Sequence, residues 1–141
     1  MTTTAKSLVA SASPVQVAGA AGRELTRARY PDLKGYVERD GQRLYYEVCG
    51  EGEETVFLIP TWSLFHSRHW KMQIPYLARH FRVLTMDGLG NGGSDRCRDP
   101  RRYGPAEFAR DCLAAMDATG TDRAAGVPCA RWRGTWTARC W

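Results

Sequence analysis

Nothing in this sequence approaches the roughly 18 consecutive apolar residues that a membrane-spanning helix needs, and the mean hydropathy is −0.45. A membrane span is therefore excluded. Cysteine is sparse and unpatterned: Cys49, Cys97, Cys112, Cys129 and Cys140 are an odd number with no C-x-x-C pair. That excludes a disulfide framework and a zinc ribbon, and leaves reduced thiols in a cytoplasmic protein as the expectation. Acidic residues are missing before Glu24, and Lys6 is followed only by broken apolar stretches such as Leu8 to Ala10. No secretory h-region exists there. The acid-poor composition is shared with transit peptides, but an unstructured leader or an overlong start is the reading preferred for residues 1–29.

The net charge of +5 is not spread along the chain. Lys6, Arg23, Arg27 and Arg29 stand against Glu24 at one end, and Arg123, Arg131, Arg133 and Arg139 face no acid at the other. The middle is slightly acidic, so the charge gives no nucleic-acid footprint. A length of 141 residues suits one domain with one modest core.

Order begins near Tyr30. Tyr36–Arg39 and Gln42–Val48 read as strands joined at Asp40-Gly41, residues that tolerate the positive φ of a tight hairpin. In the second run Leu44, Tyr46 and Val48 share one face, and Arg43, Tyr45 and Glu47 share the other. Thr55–Ile59 is apolar on both faces, as a central parallel strand is, and Pro60 stops it. Trp70, Ile74, Leu77 and Ala78 recur at helical spacing, with Pro75 marking a kink or restart. Arg82–Met86 is a second buried strand. Gly104-Pro105 opens a helix whose stripe is Phe108, Cys112, Leu113, Ala115 and Met116, with Gly120 at its C-terminal cap. A third parallel strand is expected over Arg123–Val127. From Pro128 onward all periodicity ends, and three of the five tryptophans fall in the last ten residues.

This order of elements, from about Tyr30 to Val127, resembles the N-terminal half of an α/β-hydrolase. The stretches that carry the likeness are GYVERDGQRLYYEVCG (residues 35–50), WKMQIPYLARHFRVLTMD (70–87) and GLGNGGSDR (88–96). The fold class it implies is α/β: a truncated α/β-hydrolase sheet, an N-terminal antiparallel hairpin followed by parallel strands with crossover helices. The domain division is a disordered leader over 1–29, a partial hydrolase domain over 30–127 and an irregular tail over 128–141.

The resemblance implies a Ser, Asp or Glu, and His triad in that chain order, with the serine on a G-x-S-x-G turn after the third parallel strand. The corresponding residues are Gly126-Val127-Pro128-Cys129-Ala130, so proline stands where the serine belongs. Cys129 lacks the flanking glycines and is rejected as a thiol substitute. His66, His69 and His80 all precede this position. No residue is assigned a catalytic role. By position, Thr61 and Trp62 correspond to a remnant of the loop that supplies an oxyanion-hole N–H, with a plain packing role for Trp62 as the equal alternative. Asp87, Gly88, Gly90, Ser94 and Asp95 are read as a structural loop after the second parallel strand, although Gly92-Gly93-Ser94 matches half of the nucleophile pattern.

Three other motifs are weighed and rejected. Gly88-Leu89-Gly90-Asn91-Gly92-Gly93 satisfies G-x-G-x-x-G, but a dinucleotide turn must open a helix at its third glycine, and the residues that follow are charged and interrupted by Pro100. Arg96, Arg98, Arg101 and Arg102 are broken up by Asp95 and Asp99 and read as a solvated loop. His66 and His69 share a helical spacing without a third metal ligand nearby. No cofactor, metal, nucleic acid or membrane is expected as a partner. The sequence thus reads as a catalytically inactive fragment of hydrolase ancestry, a pseudoenzyme. Its alternative is a non-enzymatic interaction protein that self-associates or pairs with a partner chain through a free sheet edge. The arginine-to-lysine ratio of 17 to 3 suits a GC-rich coding sequence. With the abrupt change of composition, it suggests that a frameshift produced the residues after about Ala124 or Val127.

Overall fold

The computed structural model describes residues 13–15, 29–59 and 66–128. They form a six-stranded mixed sheet. Its strands are β1 (Ser13–Val15), β2 (Leu33–Arg39), β3 (Gln42–Cys49), β4 (Thr55–Ile59), β5 (Arg82–Met86) and β6 (Ala125–Pro128). Across the sheet the order is β1-β2-β3-β5-β4-β6. The pairs β1–β2, β2–β3 and β3–β5 are antiparallel, whereas β4 lies parallel to both β5 and β6. Two helices, α1 (Gln73–Leu77) and α2 (Pro105–Ala118), make the crossovers.

The hairpin closes as its sequence requires. Asp40 (φ 52°) and Gly41 (φ 74°) both take positive φ, the two-residue turn whose twist matches the flanking strands. Each central strand splits its side chains between two cores. Leu44, Tyr46, Val48, Phe57, Ile59, Leu84 and Met86 face α2, where Cys112, Ala115 and Met116 meet them. Cys49, Val56, Leu58 and Val83 face the other way, onto Trp70, Ile74 and Ala78. Burial on both faces explains the unbroken apolar runs of β4 and β5. Fully burying each large apolar side chain contributes about 1.5–3 kcal/mol.

The helical segment after β4 is shorter and more divided than its spacing suggests. One turn of 3-10 helix covers Ser67–Trp70, and α1 starts afresh at Gln73. Pro75 therefore sits in the first turn of α1, where its missing N–H costs nothing. Helix α2 begins at Pro105, and Gly120 follows its end at φ 61°. The loop from Asp87 to Gly104 also holds a turn of 3-10 helix at Pro100–Tyr103, capped by the Asp99 carboxylate accepting from the Arg101 N–H at 3.0 Å. Four residues are too few to show a stripe in sequence. Within the segment read as a leader, Ser13–Val15 pairs with β2, and Arg29 donates to the Asp32 carboxylate at 2.9 Å.

Candidate functional site

In an open sheet of parallel strands, ligands bind beyond the carboxyl ends of the strands, where successive crossovers depart in opposite directions. Here β4 leads to β5 on one side, and the chain then returns past β4 to β6 on the other. The crevice of interest therefore lies beyond the ends of β4 and β6. Thr61 and Trp62, the expected oxyanion remnant, lie outside the described residues, as does Cys129. The described chain resumes at His66, and β6 ends at Pro128.

Asp87, directly after β5, joins two of the loops at this end. Its carboxylate is buried, with one oxygen accepting from the Ser67 N–H at 2.6 Å and the other from the Gly93 N–H at 2.8 Å. Gly92 makes this approach feasible. It holds φ 52°, and a Cβ placed there would lie 2.0 Å from the Asp87 Oδ2. Gly90 also has positive φ, 87°, and donates its N–H to the Asp95 carbonyl at 2.8 Å. Gly88 is buried, with Phe108 the nearest side chain to its missing Cβ.

Ser94 is buried and fully engaged. Its Oγ donates to the Asp87 carbonyl at 2.6 Å and accepts from the Tyr45 N–H at 2.9 Å. A hydroxyl whose proton is held by a backbone carbonyl is poorly placed for nucleophilic work. Asp95 closes the loop onto β3, taking the Arg43 N–H at 2.9 Å and the Arg43 guanidinium at 3.2 Å. Those hydrogen bonds hold its carboxyl below the usual carboxylate range. Asp87, Ser94 and Asp95 therefore tie the loop to β3 and to the segment after β4.

The histidines are not drawn together into a site. His66 caps the 3-10 turn, its Nδ1 accepting from the Arg68 N–H at 3.2 Å, and the His69 ring packs edge-on against Trp70. Among the described residues no three His, Cys, Asp or Glu side chains form a metal-binding group. The described cysteines Cys49, Cys97 and Cys112 are not joined in disulfides. Burial, reinforced by Glu47, pushes Cys49 up to about 11. A folded value above the ordinary 9.0 stabilises the chain below pH 9, and that contribution is lost as pH rises through about 11. Urea midpoints are accordingly expected to fall between pH 9 and 11, and to fall less in Cys49→Ala.

The arginine loop departs from its sequence reading at one residue. Arg96, Arg98 and Arg101 are exposed, but the Arg102 side chain is only 12% exposed. It reaches Glu107 at 2.6 Å and Asp111 at 3.4 Å. Arg39, from the end of β2, meets the same two carboxylates at 2.5 and 2.6 Å. Arg110 also binds Glu107. This charge cluster locks the hairpin and the 3-10 turn to α2. The one sequence signal for it is Asp111 interrupting the apolar stripe of that helix.

The sheet order, the crossovers and the loop after β5 are those of the N-terminal part of the α/β-hydrolase fold. Solved structures with this fold match the chain. A hydrolase from Pseudomonas aeruginosa PA01 is 31% identical, with a TM-score of 0.59 over 66% of this chain and 35% of that one. The enol-lactonase from Burkholderia xenovorans LB400 is 29% identical, with a TM-score of 0.58 over 64% and 35%. Epoxide hydrolase A from Mycobacterium thermoresistibile is 25% identical, with a TM-score of 0.60 over 67% and 30%. The chain thus has a partial α/β-hydrolase fold, and spans about a third of the length of the proteins it matches. No protein-family profile matches it. No helix among the described residues is long and apolar enough to cross a membrane.

Proposed function

We propose that this chain carries the framework of a hydrolase's first part and that, assayed by itself, it does not hydrolyse esters. The observation that carries the reading is Pro128 at the end of β6, parallel to β4 and opposite Ile59. A nucleophile is due on the turn leaving this strand, and proline has no group that can attack a carbonyl. His66, His69 and His80 all come before β6, and Ser94 is committed to backbone bonds. The hydrolase likenesses support ester or related bond hydrolysis as the ancestral chemistry, with Thr61 and Trp62 at the place of an oxyanion donor. Turnover of activated acyl esters is expected to equal that of a carrier-protein control. A stoichiometric burst abolished by Cys129→Ala would overturn the reading in favour of a thiol nucleophile.

A second reading is favoured by β6 itself, which pairs only with β4 among the described residues. On this reading its outer edge binds a partner chain, and the protein works by association. Copurification of a partner that is lost on placing proline at Gly126 would support it. The frameshift reading applies to the residues from about Ala124 or Val127 onward. Translating the downstream DNA in its two other frames tests it: a G-x-S-x-G turn followed by a late acid and histidine is expected in one of them.

A further inference from the structure

The other edge of the sheet is closed in a different way. Strand β1 lies antiparallel on β2, with Ser13 opposite Tyr36, Pro14 opposite Gly35 and Val15 opposite Lys34. In an antiparallel ladder, pairs that exchange both backbone hydrogen bonds alternate with pairs that exchange none. Pro14 has no N–H, so its pair with Gly35 is of the second kind. Ser13 and Val15 therefore direct their backbone groups at Tyr36 and Lys34, and the Pro14 nitrogen points outward. Along β1 the outer edge of the sheet presents no N–H donor. Without β1, the seven-residue β2 would be the edge, with the Lys34 and Tyr36 amides unpaired.

We propose that Ser13–Val15 is an edge guard that keeps β2 from pairing with β2 of a second copy of this chain. A second copy is the occupant that the geometry favours, because β1 shows that the seat accepts an antiparallel strand. A two-fold axis would present β2 to β2 in that same sense and make one continuous sheet. Natural proteins blunt long edges with short strands and proline, and β1 combines both devices. The guard acts on the opposite side of the sheet from β6 and does not depend on whether the chain hydrolyses anything.

Two full-length variants test this by sedimentation velocity over a concentration series and by amide hydrogen exchange. Val15→Pro removes a donor that faces β2. In the dilute monomer the Lys34 and Tyr36 amides should exchange about tenfold faster, as expected for the loss of one hydrogen bond's net stabilisation. At higher concentration a dimer should form in which both amides regain protection. The Gly35 and Val37 amides, which face β3, report that the sheet stays folded. Pro14→Val leaves the guard seated but restores an outward donor, so it should also dimerise while Lys34 and Tyr36 remain protected throughout. Unchanged exchange at Lys34 and Tyr36 in Val15→Pro would overturn the proposal. So would a monomer at every concentration for both variants, or a Val15→Pro dimer whose Lys34 and Tyr36 amides stay open.

Discussion

Asp111→Ala is expected to destabilise the chain by about 3–5 kcal/mol, the usual cost of removing one member of a buried ion cluster. The Asp111 side chain is 2% exposed, and the guanidiniums of Arg39 and Arg102 are nearly as enclosed. Removing the carboxylate leaves two arginines to share Glu107, the one carboxylate of the cluster that still ties the hairpin to α2. Burial pushes the Asp111 carboxyl above its ordinary range despite these neighbours, so its charge is itself costly. By linkage, the neutral form is favoured in the fold, and the stability associated with this group declines as pH rises through its raised value. Asp111→Asn keeps an acceptor for the Arg39 Nε and should therefore cost less than half as much. Urea denaturation followed by circular dichroism measures both. Equal losses in the two variants would mean that charge, and not the missing acceptor, dominates.

Asp87→Ala is expected to cost about 3 kcal/mol, since hydrogen bonds to charged groups contribute about 1.5–3 kcal/mol each and the buried Ser67 donor is left unpaired. Ser67 is 3% exposed, so solvent has little access to take the place of the carboxylate. Amide exchange should accelerate at Ser67 and Gly93 and hardly change at Tyr45, whose N–H is held by Ser94. Asp87→Asn should protect one of the two amides and release the other, because its NH2 group cannot accept. Loss of protection along the whole of β5 would instead show that Asp87 supports the strand and not the loops.

What the sequence made visible follows from the range of the interactions. Strands β4 and β5 occupy the segments their apolar runs mark, because burial on both faces leaves a continuous signal. The Asp40-Gly41 hairpin and the Gly104-Pro105 start of α2 were equally legible, since each depends on backbone preferences of adjacent residues. The parallel strand after Arg123 was legible from its place after the helix that Gly104-Pro105 opens, as the next step of the strand and helix alternation. Strand β1 was invisible because three residues with a central proline carry no alternation. The Arg39–Asp111 contact was hidden because it joins residues 72 positions apart. Around the candidate site, glycine spacing pointed to the loop after β5 but not to Gly92 as the position pressed against Asp87. That depends on where a carboxylate comes to rest. Arg102 was read as solvated because its burial is decided by the fold of α2 and the hairpin together.

The central claim is that this chain holds the hydrolase framework without a nucleophile. Intact mass after incubation with an excess of a fluorophosphonate tests it most directly, because such probes phosphonylate an activated serine in proportion to its presence. The account predicts an unshifted mass for the folded chain. A single stoichiometric adduct, mapped to a serine and abolished by replacing it with alanine, would contradict it.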